Sequence, residues 1–235
     1  MISPLASTPL FYLGPVPITS GVATTWGIML ALTLGSVLVT RHLTLAPSKT
    51  QTVFELLVET VDTQIRETMA VPPEPYRAFI GTLFVFIFVA NWCSLIPGVE
   101  PPTAHLETDA ALALLVFLAV IRFGIRAGGL GGYLKTFATP SPIMIPLNII
   151  ESITRTFSLF IRLFGNVMSG VFMIAIVLSL AGLFVPVPLM ALDMLIGAIQ
   201  AYIFAVLAMV FISGAVGTEQ PATAPPALLT RKGAP

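Results

Sequence analysis

Ile150-Glu-Ser-Ile-Thr-Arg155-Thr-Phe-Ser-Leu-Phe-Ile-Arg162-Leu-Phe-Gly-Asn166-Val-Met-Ser-Gly170 places two arginines inside one of the most hydrophobic stretches of this chain. A charged side chain near a bilayer centre costs about 2.5 to 3.5 kcal/mol on insertion scales, so it normally faces a partner, water or an ion path. The apolar segment around it runs from about residue 143 to 183. At about 1.5 Å per residue that is roughly 60 Å of helix, twice the hydrocarbon thickness of about 30 Å. Two spans would need a polar turn in the middle, and Leu163-Phe-Gly-Asn-Val is too apolar to supply one. A single long helix, tilted or bent, is expected instead.

Composition agrees with a lipid environment. Of 235 residues only 9% are charged and 56% are hydrophobic, with formal net charge zero and mean hydropathy +0.97. Soluble domains carry about 25% charged residues. A neutral chain without a basic patch argues against a nucleic-acid partner. The single cysteine, Cys93, cannot form an internal disulfide and reads as a packing residue. Residues 1–20 lack the basic start of a cleavable signal peptide, so the first helix is expected to target the chain.

Five apolar segments follow, at about 21–40, 78–97, 109–125, 143–183 and 188–216. The fold expected is an all-α integral membrane protein, the last two segments forming a long tilted hairpin, within one membrane domain covering residues 1–235. Between the first two segments, Val53, Leu57, Val61 and Ile65 recur at helical spacing while Glu55, Glu59, Asp62, Arg66 and Glu67 lie between them. That pattern predicts an amphipathic interfacial helix over 51–69. Gly128 to Thr136 reads as a flexible loop, and the Pro- and Ala-rich tail, residues 217–235, as disordered.

Charge asymmetry sets the expected orientation, because cytoplasmic loops hold the Lys and Arg excess. With five spans and the N-terminus outside, Arg41, Lys49, Arg66, Arg77, Arg122, Arg126, Lys135, Arg231 and Lys232 all fall on the cytoplasmic side or its boundary. The segments 1–20, 98–108 and 184–187 contain no Lys or Arg. Thr103 is therefore expected outside, Gly131 and the C-terminus inside. Only Arg155 and Arg162 are left without a loop.

Along the long helix Glu151, Arg155, Ser158, Arg162, Asn166 and Ser169 recur at three- and four-residue steps and form one polar stripe. Ser and Asn alone could simply join helices. Arg155 has Glu151 one turn before it, the favourable order for an ion pair. Arg162 has no acidic residue three or four positions away on either side, so its partner comes from another helix, another subunit or water. The only acid of the last segment is Asp193, with Gly197 and Gln200 following on its face. An upright hairpin would separate Asp193 from Arg162 by roughly 20 Å of helix, too far for an ion pair. Asp193 reads either as the lining of a water-filled access from outside or as a cap on backbone amides.

Arg162-Leu-Phe-Gly-Asn166, Gln200-Ala-Tyr-Ile-Phe204, Ile96-Pro-Gly-Val-Glu-Pro-Pro-Thr103 and Gly14-Pro-Val-Pro-Ile-Thr19 resemble subunit a of the F-type ATP synthase membrane sector, over nearly the whole chain. The resemblance implies a stator in the bacterial plasma membrane holding two aqueous half-channels against a rotating ring of c subunits. Its further implied partners are the b subunits of the peripheral stalk and, through the complex, the F1 sector. Arg162 matches the arginine that faces the ring carboxylate, and Gln200 its glutamine companion. Ser158 and Asn166 lie on the same ion-translocating stripe. The family's Glu about nine residues after the arginine is matched by Val171, and its His in the last helix by Asp193. The acid fourteen residues before the arginine is matched by Asn148, with Glu151 nearby. A further likeness to an alternative bacterial lineage associated with sodium leaves the transported ion, H+ or Na+, open.

These residues assign no catalytic group, metal or cofactor to the chain itself. Gly128-Gly-Leu-Gly-Gly-Tyr-Leu-Lys-Thr136 lacks the Gly immediately before Lys-Thr that a P-loop requires, so no nucleotide site is expected. The alternative is a stand-alone secondary transporter holding an anion on Arg162; five spans without inverted repeats fit it poorly.

Overall fold

The computed structural model describes residues 9–13, 16–41, 49–95, 101–138, 142–182 and 184–217. A short antiparallel hairpin of β1 (Pro9–Leu13) and β2 (Val16–Thr19) pairs Pro9 with Thr19 and Leu13 with Val16. Six helices follow: α1 (Ser20–Thr40), α2 (Lys49–Met69), α3 (Glu74–Trp92), α4 (Leu106–Ala138), α5 (Ile145–Ala181) and α6 (Pro186–Val216). Short 3-10 turns lie at Cys93–Leu95, Pro102–Ala104 and Pro142–Met144. Five of the helices, all but α2, are long and apolar enough to cross a membrane. The all-α membrane architecture is as expected; the hairpin before it had no helical or hydropathic signal. The expected disordered tail lies outside the described residues beyond Gly217, which closes α6 in a left-handed conformation (φ 72°, ψ 26°).

Lipid is as apolar as leucine, so helices in a bilayer associate by close packing and interhelical hydrogen bonds rather than by escape from water. Helix α6 shows how. Gly197, Ala201, Ala205 and Ala208 recur along one buried face, and small residues let backbones approach closely. Ile80, Leu83, Ile87 and Ala90 of α3 are buried with them, as are Val116 and Ala113 of α4. Helix α1 stays at the periphery, with Trp26, Met29, Leu30, Leu34 and Leu38 exposed.

The amphipathic helix α2 buries Val61, Ile65 and Met69, while Val53 at its start remains exposed. Two polar links dock it. Arg77 of α3 donates Nε to Asp62 Oδ1 at 2.5 Å and a second N–H to Oδ2, a forked pair. Tyr202 of α6 donates its hydroxyl to Gln64 Oε1 at 2.8 Å. The hydrogen bonds from Arg77 hold the Asp62 carboxyl below its ordinary range. A depressed folded-state value means this link is present above the usual carboxylate range and is lost as pH falls through the lowered value.

The glycine-rich stretch after residue 127 is not the loop that its composition suggested. Helix α4 continues to Ala138 across a break at Gly129, where φ is 69° and ψ 172°. Only glycine takes that conformation without strain. The reversal lays the Tyr133 ring against Gly124, where a methyl group would meet it at 2.6 Å.

Thr103, expected in an outer loop, is fully buried. It is covered because its hydroxyl is drawn into a hydrogen bond with Asn91 of α3. A topology test therefore uses Glu107→Cys, exposed at the start of α4, and Gly131→Cys, exposed near its other end, both in a Cys93→Ser background. An impermeant thiol reagent should label residue 107 only from outside and residue 131 only from inside, following the charge pattern. Labelling of both from one face refutes the orientation.

Candidate functional site

Helix α5 has two faces. Leu159, Leu163 and Val167, spaced by four, are buried, and Glu151, Arg155, Ser158, Arg162 and Ser169 are exposed along the adjoining flank. Asn148, near the start of the helix, and Asn166 are half-buried. The polar stripe read from the sequence is thus an outward face, although it is surrounded by apolar side chains such as Phe157 and Ile161.

The two arginines separate as their spacing suggested. Arg155 is paired with Glu151 across one turn, and its guanidinium lies 5.5 Å from the centroid of the Phe211 ring on α6. Arg162 has neither. Among the described residues no carboxylate, carbonyl or ring engages it. A guanidinium cannot shed its proton to escape an apolar setting, so Arg162 is an exposed charge with no partner among the described residues.

Asp193 stands closer to Arg162 along the stripe than an upright hairpin allows. Its carboxylate lies against Gly170, where an added methyl group would overlap it. Gly170 is eight positions from Arg162, about 12 Å of helix rather than 20 Å. The two helices are staggered: the end of α5 overhangs, because the backbone without a side chain at Gly170 is where α6 can seat an aspartate. Asp193 then shares one cleft with Asn166, Val167, Val171 and Gly197, closed by Asn91, Ser94 and Pro101. The structure thus brings Asp193 and Asn166 together and leaves Arg162 one turn beyond.

Gln200 is turned inward. It is buried, its Nε2 has no acceptor among the described residues, and no hydrogen bond joins it to Arg162. Sequence reasoning missed the residue that organises this end of the bundle. Asn91 donates Nδ2 to the Gly197 carbonyl at 2.9 Å and accepts from Thr103 Oγ1 at 2.8 Å, tying α3, α6 and the 3-10 turn at Pro102–Ala104. The lone amide near the end of an apolar span was the available signal. Among the described residues no group of three or more His, Cys, Asp and Glu side chains could hold a metal.

Residues 22–213 match the ATP synthase A chain family. The chain belongs to that family. It is 55% identical to ATP synthase subunit a 2 of a Bradyrhizobium species over 216 residues, 92% of this chain and 97% of the relative. It is 50% identical to ATP synthase subunit a 1 of Chlorobaculum parvum over 86% of this chain and 90% of the relative. ATP synthase subunit a of Albidiferax ferrireducens is 45% identical, over 90% and 93% respectively. As a member of the A chain family the protein is a membrane component of an ATP synthase and acts within a multi-subunit complex. The family match begins in α1 and ends in α6, so Asn148, Glu151, Arg162, Asp193 and Gln200 all lie inside it, while the β1–β2 hairpin lies outside.

Proposed function

We propose that the protein is the ion-translocating stator of a rotary F-type ATP synthase, with the exposed stripe of α5 turned toward a ring of c subunits. The observation that carries this is Arg162: a guanidinium unpaired among the described residues and exposed on an apolar helix, two turns from an arginine that has both an ion pair and a ring contact. Such a charge draws a proton or metal ion off a carboxylate brought opposite it and keeps that carboxylate ionised. A neutral, loaded carboxyl can move away through lipid, whereas an ionised one is penalised there. Arg162 also blocks direct leakage along the stripe.

In this reading Asp193 and Asn166 form the outer half-channel, with Gln200 deeper in the bundle. Asn148 and Glu151 mark the inner one, Glu151 being tempered by its pair with Arg155; Ser158 lies between. The chain is one membrane domain in the bacterial plasma membrane, N-terminus outside and C-terminus cytoplasmic, held to the F1 sector through b subunits of a peripheral stalk. It contributes no catalytic residue or cofactor of its own, and either H+ or Na+ fits the chemistry.

Cross-linking tests the arrangement. In a Cys93→Ser complex, Ser158→Cys and Ser169→Cys should each form disulfides with cysteines introduced on the outer helix of the c subunits, and Leu114→Cys, exposed on α4, should not. Cross-links from Leu114→Cys with none from α5 would assign the ring to another face and overturn the reading.

A further inference from the structure

One buried acid is used by nothing above. Asp109 lies one turn into α4, is fully buried, and neither of its carboxylate oxygens accepts a hydrogen bond from any described group. Capping does not explain it. An aspartate that stabilises a helix start accepts backbone N–H bonds; here the turn is closed by the His105 carbonyl, which accepts from the Thr108 and Asp109 amides. No described cation pairs with it either, and an ionised carboxylate isolated from water is among the costliest groups to bury. Such a group holds a proton or meets a cation or water.

Its depth places it. The hydrogen bonds from Thr103 to Asn91 and from Asn91 to Gly197 fix the Pro102–Ala104 turn, the end of α3 and α6 at one level. From that level α4 and α6, which pack against each other, run in the same direction. Asp109 follows His105 by one turn, and Gln200 follows Gly197 by three residues, so both lie roughly 5 Å deeper. A buried carboxylate without a donor and a buried amide N–H without an acceptor therefore share one layer, just below the Asp193–Asn166 cleft.

We infer that Asp109 is a second acidic station on the outer ion path, accepting a monovalent cation, H+ or Na+, from the Asp193–Asn166 cleft one layer above it. The inference rests on the half-channel reading proposed above. Among the described residues the other titratable groups at this end include Cys93 just after α3, His105 and Glu107 at the start of α4 and Asp193 on α6. If a proton is carried, Asp109 becomes a neutral carboxyl on receiving it and ionises again on passing it inward. If sodium is carried, the carboxylate replaces part of its hydration.

The test is turnover of the intact complex in proteoliposomes against outer Na+ and, separately, outer pH. Asp109→Asn should raise the half-saturating outer concentration of the carried ion about tenfold, the scale on which local charge alters ion capture, with most of the maximal rate regained at saturation. Asp109→Glu should restore the curve toward that of the unmodified complex, and Glu107→Gln, exposed on the same turn, should leave it unchanged. Whichever titration shifts identifies the ion. An unshifted curve, or an equal fractional loss at every concentration, overturns the inference. If Asp109→Asn prevents assembly, Asp109→Cys in the Cys93→Ser background keeps a small side chain there; Ag+ added outside should block it, and insensitivity to Ag+ is equally fatal. A silent Asp109→Asn beside an impaired Asp193→Asn rejects this station alone, whereas silent Arg162→Ala and Asp193→Asn reject the underlying half-channel reading.

Discussion

Replacing Arg162 by Ala should reduce gradient-driven ATP synthesis by at least about 10²-fold, the scale of removing one preorganised electrostatic group from a low-dielectric site, while the complex still assembles. The structure supplies the reason for the second half of that expectation. Arg162 makes no ion pair, hydrogen bond or ring contact with the described part of its own chain, so removing it breaks none of those contacts there. The buried side of α5, Leu159, Leu163 and Val167, is untouched. Arg162→Lys should also fail, because a compact ammonium on a flexible stem does not reproduce the planar fork and loses its charge more readily in an apolar setting. By contrast Arg155→Ala, which breaks only the exposed pair with Glu151 and the contact with Phe211, should cost far less. The assay is ATP synthesis in inverted membranes, with subunit content measured by blot. Near-normal coupling in the alanine variant would remove Arg162 from the mechanism.

Asp193→Asn should slow ion access roughly tenfold or more, the range by which a charged cleft raises local ion capture, without dissociating the complex. The amide keeps the size and hydrogen-bonding capacity of the acid and removes its charge. If protons are carried, the defect should deepen as outer pH rises, because fewer protons reach a path lacking its acidic group. If sodium is carried, raising outer sodium should relieve it. The seat of the carboxylate gives an independent handle: Gly170→Ala would displace Asp193 from the cleft that it shares with Asn166, and should reproduce part of the same defect with the carboxylate intact. Turnover equal to that of the unmodified complex across both titrations would leave Asp193 as a cap or packing residue.

Both predictions concern residues that hydropathy alone brings to notice, since an arginine or aspartate inside an apolar run is visible without coordinates. The number of spans was legible for the same reason, as was the Glu151–Arg155 pair, which depends only on helical spacing. Departures arose where the decisive contact lies between helices or in backbone geometry. Gly128 to Thr136 looks like a loop by composition, yet a single positive φ at Gly129 lets helix continue on both sides. Asp109 marked the edge of an apolar segment and passed as a boundary residue; its full burial comes from packing between elements, which no pattern within its own segment reports.

The sequence by itself determined an all-α membrane protein, its five spans, the polar stripe along α5 and the isolation of Arg162 from any local acid, because each follows from periodicity and charge within one segment. Only the tertiary structure decided the stagger of α5 and α6, which sets Asp193 against Gly170, and the Asn91 bridge joining Thr103 to Gly197. Hydropathy is unchanged when one apolar helix slides along another. Helix register is fixed instead by where small residues allow close approach and where the few buried polar groups find partners, and those pairings join positions as far apart in the chain as Asn91 and Gly197.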